Sequence, residues 1–261
     1  MLRKNAKKFL LLSYIFTLNA FAIDANGIMQ NNFMTNKFSD SIASAEFKLI
    51  NKSNQERIRT TSGYTKLSAN GIDNKRLVKF LSPSDIKDTT TLLIENSNKD
   101  DDMWIYLPAS KKVRRLSAAN KKDSFVGTDF SYGDVIGHKP NDWQHKLIKE
   151  EKIDSNDCYV IESLPKNDTV KNNTGYSKRM SWIDKNNFIA LKTEFWDEQG
   201  TQLKQINTAK IKNFSGKLYQ PMFNQAINHQ SGHKTIIEYK DFKINQKVDE
   251  KYFTTRALEQ E

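Results

Sequence analysis

Apolar and polar positions alternate with a period of two through most of the chain, which is the pattern of β-strands with one buried face. In one such stretch Leu191, Thr193 and Phe195 share a face, and in another Met180 and Trp182 do so. Aromatic and Met side chains on such a face either line an apolar pocket or pack against a helix as ordinary core. The alternation does not distinguish these two arrangements.

The same pattern predicts about eleven strands, which we expect to form one strongly curved or nearly closed antiparallel sheet in a single domain. Turn-forming residues separate them, and 184–187 and 197–200 are expected to be hairpin loops. A helix with Asp24 as N-cap is predicted over 23–38. The predicted strands are 44–51, 56–66, 75–81, 90–95, 103–107, 111–116, 143–151, 158–164, 176–183, 188–196, 201–214 and 235–244.

The N-terminus has the layout of a secretory signal peptide. Four basic residues within the first eight precede an apolar run from Phe9 to Phe21, and Ala20-Phe21-Ala22 supplies small residues for cleavage after Ala22. The run is shorter than the roughly 20 residues that span a bilayer. We therefore divide the chain into a signal peptide, residues 1–22, and one domain, residues 23–261, and expect a soluble periplasmic protein.

Charge and cysteine content exclude some classes of protein. Loss of the four basic residues of 1–22 lowers the net charge from +10 to +6, which is moderate for a nucleic-acid-binding protein, so no nucleic-acid partner is predicted. Cys158 is the only cysteine, so no internal disulfide forms, and we expect it to be a buried apolar residue.

Catalytic motifs are absent from the sequence. It contains no nucleophile elbow, phosphate-binding loop, dinucleotide fingerprint or zinc-protease motif. His229 and His233 flank a turn, but no third metal ligand is evident. We predict no enzyme activity, no cofactor and no metal.

Several motifs resemble those of the outer-membrane lipoprotein-sorting family, whose reference member is the periplasmic carrier LolA. These are residues 76–89 (RLVKFLSPSDIKDT), 103–116 (MWIYLPASKKVRRL) and 124–132 (SFVGTDFSY), together with 253–259 (FTTRALE). Matched blocks are spread from about residue 40 to residue 260, which is nearly the whole chain after the signal peptide. Asp88 stands where the family commonly has Gly, and Gly133 where an acidic residue is common, so the geometry of these two turns is uncertain from the sequence.

The resemblance implies a mainly β (α+β) fold: a half-open antiparallel β-barrel whose few helices cover an apolar cavity. It also implies a carrier of lipid or lipoprotein acyl chains that works with an RND-type inner-membrane transporter and an outer-membrane acceptor. Arg114, Arg115 and Asp129 are candidates for contact with a headgroup or a partner, or for an internal Arg–Asp ion pair. The candidates for the cavity or its entrance are Trp104, Tyr106, Leu107, Phe125, Phe130, Met180 and Trp182.

Two other functions remain open at this stage. A related fold senses lipids or lipoproteins in envelope-stress regulation, although it usually carries a further C-terminal domain. A hydrolase of envelope lipids would need a nucleophile and a base, and the sequence shows no such set.

Overall fold

The structure is a computed structural model that describes residues 24–259; the predicted signal peptide, residues 1–22, lies outside the described residues. The strands are β1 Asp40–Ile50, β2 Glu56–Leu67, β3 Asn74–Ser82, β4 Thr90–Ile94, β5 Asp102–Leu107, β6 Lys112–Leu116, β7 Trp143–Ile153, β8 Asn156–Pro165, β9 Lys178–Asp184, β10 Ala190–Trp196, β11 Gln202–Ser215, β12 Leu218–Asn228 and β13 Lys234–Ile244. The α-helices are α1 Ala25–Met34, α2 Tyr132–Ile136 and α3 Asp168–Thr174. The 3₁₀ helices are Pro108–Ser110, Ala118–Lys122, Phe125–Gly127, Pro140–Asp142, Glu250–Phe253 and Thr255–Glu259.

Within residues 24–259, thirteen strands form one antiparallel sheet in the order β6-β5-β4-β3-β2-β1-β13-β12-β11-β10-β9-β8-β7. The predicted mainly β fold with a curved, open antiparallel sheet is confirmed. Both predicted hairpin loops are also confirmed, since they join β9 to β10 and β10 to β11. Among the described helices none is long and apolar enough to cross a membrane.

The predicted number of about eleven strands is lower than the thirteen observed in residues 24–259, and the twelve stretches identified in the sequence include every strand except β12. Pro221 lies inside this stretch, and proline usually argues against a strand with neighbours on both sides. In the structure β12 pairs with β13 only over residues 223–227, although it pairs with β11 along nearly its whole length. Pro221 thus lies beyond the paired stretch, where no hydrogen bond to β13 requires its missing N–H.

Three phenylalanine rings meet next to the place where β12 and β13 separate. Phe38 packs edge-on against Phe214 and Phe242, with ring centroids 5.6 and 5.5 Å away. The chain that leads from α1 into β1 also contacts β12, since the Tyr219 N–H donates to the Thr35 carbonyl at 2.8 Å. The separated strand ends are therefore bridged by the segment that follows α1.

Helix α1 begins where the sequence predicts, although it ends earlier than residue 38. The Asp24 side chain accepts from the Gly27 N–H at 2.7 Å, which confirms the predicted N-cap. Ile28 and Met29 are buried against Ile161 and other residues of the sheet. The apolar side of the helix thus packs as ordinary core.

The sheet has an inner and an outer face, and both carry apolar clusters. We call inner the face on which Phe47 and Phe80 pack against Phe125 and Tyr132. On the outer face Leu77 and Leu92 pack beneath the C-terminal segment, which contributes Val248, Phe253 and Leu258. A second outer cluster contains the buried Cys158, in agreement with its predicted role as an apolar residue.

The connection between the two edge strands, β6 and β7, runs across the inner face. We call residues 117–142 the cover segment; it contains α2 and the 3₁₀ helix Ala118–Lys122, which contacts α3 near the opposite edge of the sheet. The cover segment therefore brings the two ends of the sheet together without a hydrogen-bonded ladder between them.

The two departures from the family pattern have clear structural outcomes. Asp88 has φ 65°, so the turn keeps the left-handed conformation that glycine favours and that Asp tolerates. Gly133 lies in α2, and a Cβ at this position would come within 3.2 Å of the Lys121 carbonyl oxygen. A larger residue at 133 would therefore push two parts of the cover segment apart.

Candidate functional site

Small side chains on β1 and β2 leave a hollow on the inner face. Ala43 lies opposite Gly63 in the ladder, and Ala45 lies opposite Thr61. A Cβ on Gly63 would come within 3.1 Å of the Leu77 carbonyl oxygen, so a larger residue there would crowd the neighbouring strand. Because these side chains are short, a cavity of about 240 Å³ remains between the sheet and the cover segment.

This cavity, which we call the apolar cavity, is lined by aromatic and other apolar side chains together with polar ones such as Thr61 and Gln220. An apolar cavity of about 150 Å³ is already large enough to hold benzene, so this one can hold a longer apolar group. The sheet and the segment after α1 supply Phe38, Phe47, Val78, Ile237, Tyr239 and Phe242, and the cover segment supplies Phe125, Phe130 and Val135.

Cationic side chains of the sheet hold the cover segment in place through its backbone carbonyls. Arg59 donates to the Val126 carbonyl, and Arg76 donates to the Val135 carbonyl. Lys204 donates to the Asp129 carbonyl at 2.9 Å. Hydrogen bonds from charged donors are stronger than neutral ones, so these three side chains fix the segment over the cavity.

Asp134 is the centre of a buried polar network at the start of α2. Its Oδ2 accepts from Lys204 Nζ at 2.5 Å and from the Ser131 N–H at 2.8 Å. Its Oδ1 accepts from the Tyr176 hydroxyl at 3.0 Å and lies 3.3 Å from His138 Nε2. The carboxylate is thus paired and hydrogen-bonded, as a buried charge must be.

The protonation states in this network follow from burial and charge. Burial acts to raise the pKa of Asp134, but Lys204 and His138 outweigh it and hold that pKa well below its usual range. Burial, together with the positive charge of Arg179, lowers the pKa of His138 to about 4. Burial and the Asp134 charge raise the pKa of Tyr176 to about 12. Near neutral pH His138 is therefore uncharged, whereas Asp134 and Lys204 form an ion pair.

A second cavity of about 260 Å³ adjoins the first and is lined mainly by polar and charged groups. We call it the polar compartment. It is bounded by α1, α2, β3 and β9, and the buried ion pair between Lys37 and Glu95 lies on its wall. The residues that line both cavities are Asn36, Arg76, Asp134, Val135 and Pro221.

Two of the seven predicted cavity residues line the apolar cavity. Phe125 and Phe130 belong to the cover segment, and both are buried against the inner face. Their aromatic rings form part of the cavity wall.

Trp104, Tyr106 and Leu107 lie elsewhere. Trp104 and Tyr106 pack on the outer face with Tyr252 and other residues of the C-terminal segment. Leu107 ends β5 and is 38% exposed. None of the three lines the apolar cavity, because alternation in β5 points its largest rings away from the cover segment.

Met180 and Trp182 also lie on the outer face. They pack with Cys158 and Val160, and the Trp182 Nε1–H donates to Glu151 Oε2 at 2.7 Å. The inward-facing residue between Lys178 and Met180 is Arg179. The alternating pattern therefore grouped these side chains correctly but did not tell which group faces the cavity.

The predicted contact residues do not form one site. Arg115 pairs with Asp102 at 2.7 Å, and Arg114 is exposed on the edge strand β6. Asp129 lies instead on the inner face, where its carboxylate accepts from the Thr235 hydroxyl at 2.7 Å. An internal Arg–Asp ion pair exists, as one alternative expected, but its carboxylate is Asp102.

The most important residues of the site were not singled out from the sequence. No recognisable local sequence motif marks the residues Ala43, Gly63, Lys204 and Arg179. In residues 24–259 no group of three or more His, Cys, Asp or Glu side chains is arranged to hold a metal ion.

Several proteins of known structure are similar to this chain in fold, and some also in sequence. A protein-family model with the description "Uncharacterized protein" matches residues 72–260, and no curated protein matches the chain. An outer-membrane lipoprotein-sorting protein domain from Vibrio parahaemolyticus is 30% identical, with TM-score 0.83 over 90% of this chain and 98% of that chain. A DUF1329 family protein from Desulfovibrio piger is 25% identical, with TM-score 0.82 over 90% and 97%. A LolA superfamily protein from Nitrosomonas europaea shares the fold, at 20% identity and TM-score 0.68 over 90% and 100%.

Proposed function

The chain belongs to the outer-membrane lipoprotein-sorting family, and on that premise we propose that it binds lipid or lipoprotein acyl chains in the apolar cavity and carries them toward the outer membrane. The observation that carries the proposal is the hollow between the small side chains of β1 and β2 and the aromatic rings of the cover segment. In a well-packed interior such a space would be filled.

The energetics suit a carrier that must release its cargo. Burial of about ten methylene groups contributes roughly 8 kcal/mol at about 0.8 kcal/mol each. This corresponds to about micromolar affinity before the costs of ordering are subtracted. Binding therefore needs no covalent step, and transfer to an acceptor with a deeper apolar site is favourable.

The route of the cargo is the second part of the proposal. Export to the periplasm follows from the signal-peptide pattern of residues 1–22, with cleavage after Ala22. An RND-type inner-membrane transporter is the proposed donor, and an outer-membrane component is the proposed acceptor. The exposed Arg114 on the edge strand β6 is a candidate for contact with an acidic surface of such a partner.

Native mass spectrometry of the protein purified from a periplasmic extract tests the proposal, with lipid analysis of whatever dissociates. We expect a stoichiometric lipid or acylated peptide, and displacement of it by a fluorescent fatty acid. A protein that carries no lipid and takes up no fluorescent fatty acid would contradict the carrier function.

A further inference from the structure

Arg179 is a buried arginine without a carboxylate partner. Its residue is only 6% exposed, its Nε finds no hydrogen-bond acceptor, and it forms no ion pair within residues 24–259. The Trp143 ring covers one side of the guanidinium, whose carbon lies 3.9 Å from the ring centroid. Stacking of this kind satisfies the face of the guanidinium and leaves its N–H edge available for an acceptor.

A buried charge without a partner is unfavourable, so its presence requires a reason. Burial lowers the pKa of Arg179 to about 10, which still leaves the group charged near neutral pH. The side chain lines the polar compartment, so an acceptor placed there would reach it. The guanidinium is therefore arranged for a group that enters the compartment.

Arg76 is a second cation of the same compartment. Its guanidinium donates one hydrogen bond to the Val135 carbonyl and forms no ion pair among the described residues. The two carboxylates of the compartment wall, Glu95 and Asp134, are each paired with a lysine. Arg76 and Arg179 thus form no direct ion pair in this part of the chain, although the nearby carboxylates of Asp134 and Asp142 offset part of the effect of burial on the pKa of Arg179.

The compartment also offers an unused acceptor. Asn74 is 3% exposed, and its Oδ1 has no hydrogen-bond donor among the described residues. A ligand that combines anionic oxygens with a hydroxyl group would satisfy both arginines and Asn74. A phosphate monoester supplies these groups in its singly protonated form, whose anionic oxygens accept from the two arginines while its P–OH donates to Asn74 Oδ1.

We propose that the polar compartment binds a phosphate headgroup of an amphiphile whose acyl chain occupies the apolar cavity. This rests on the proposed carrier function and names the class of its cargo. The two cavities adjoin at Arg76, so one molecule can place its chain in the first and its phosphate in the second. The shared chemistry is the phosphate group, whether it belongs to a lipid or is free in solution.

Isothermal titration calorimetry with three probes tests the proposal: dodecyl phosphate, dodecanol and inorganic phosphate. We expect dodecyl phosphate to bind roughly 10-fold to 100-fold more tightly than dodecanol, the ratio typical of a charged hydrogen-bonded contact. Inorganic phosphate alone should bind far more weakly than dodecyl phosphate, because it lacks the buried chain.

Substitutions of Arg179 identify the site. Arg179→Gln should remove most of the advantage of dodecyl phosphate and leave dodecanol affinity unchanged, which also reports that the variant is folded. Arg179→Lys should keep part of the advantage. The matched control is Lys178→Gln, which also removes one positive charge from β9. Lys178 precedes Arg179 and lies on the opposite face of the strand, where its ammonium is 3.9 Å from the Trp196 ring centroid.

Each outcome decides a separate question. If dodecanol binds as tightly as dodecyl phosphate, the headgroup site is wrong but the carrier function stands. If inorganic phosphate binds as tightly as dodecyl phosphate, the ligand is a free anion. The proposal that one molecule occupies both cavities is then wrong. If no probe binds, both the headgroup site and the carrier function are contradicted.

Discussion

Asp134 and Lys204 form a buried ion pair, 2.5 Å from Oδ2 to Nζ, that joins the cover segment to strand β11 across 70 residues of sequence. Both side chains are almost completely inaccessible to solvent. The same Lys204 also holds the Asp129 carbonyl. One lysine therefore fixes the beginning of α2 and the turn before it to the inner face.

Lys204→Met is expected to lower the free energy of unfolding by about 3–5 kcal/mol, because it leaves the Asp134 carboxylate buried without its partner. Urea unfolding of the variant measures this. The double variant Asp134→Leu/Lys204→Met should recover much of the loss, since neither charge remains unpaired. Losses that simply add in the double variant would show that the pair does not act as a unit.

Stability is expected to fall as the pH is lowered from about 7 to about 5. The folded-state pKa of His138 is about 4 and its ordinary value is 6.5, so the unfolded chain binds more protons in this range. The contribution is complete above pH 6.5 and is lost as the pH falls toward 4. It amounts to roughly 2 kcal/mol between pH 7 and pH 5.

Urea unfolding at the two pH values measures this dependence, and His138→Phe should reduce its slope. His145 contributes in the same direction, because burial and the Arg179 charge lower its pKa to about 4 as well. A stability that does not change between pH 7 and pH 5 would contradict the neutral, buried state of His138.

Filling the hollow is expected to block cargo without loss of the fold. Ala43→Phe places a ring on the cavity floor, and binding of a fluorescent fatty acid should weaken at least about 10-fold, because the space for the chain is occupied. Ser44→Phe is the matched control, since it adds the same ring to the next residue on the opposite face. Equal binding by the two variants would mean that the chain lies elsewhere.

Arg179→Met is expected to stabilise the protein in the absence of ligand. Removal of a buried charge that forms no direct ion pair should raise the free energy of unfolding by about 1 kcal/mol, even though the contact with Trp143 and the attraction of Asp134 are lost. A thermal melt of the delipidated variant tests this. A lower melting temperature would indicate that Arg179 is a structural residue in the ligand-free protein.

The fold was largely predictable because each strand can be recognised from the alternation of apolar and polar residues within its own short stretch of sequence. Alternation with a period of two identifies a strand wherever one face is buried, and turn residues such as Gly200 mark the ends. The exception was β12, where Pro221 contradicted the pattern. Only the separation from β13, a long-range property, makes proline acceptable there.

The site was less predictable because both faces of the sheet are buried in places. Met180 and Trp182 were candidates for the cavity, whereas Arg179 on the alternate face was not. The structure reverses this assignment, since the polar side of β9 faces the polar compartment. Alternation groups residues by face, but the direction of each face depends on segments that pack from far away in sequence.

The separation of β12 from β13 at Pro221 leaves one part of the cavity wall without the ladder hydrogen bonds that join the strands elsewhere. Where Pro221 of β12 and Tyr239 of β13 line the cavity, these two strands share no ladder hydrogen bonds, and the rings of Phe38, Phe214 and Phe242 meet beside this place. If the cavity binds a cargo as proposed, a bulkier one would widen this gap and rotate the three rings, while the paired stretches of β12 and β13 keep their register. Proposed cargoes of different thickness would then share one binding site, at a cost set by the ring packing and by the Tyr219–Thr35 backbone hydrogen bond.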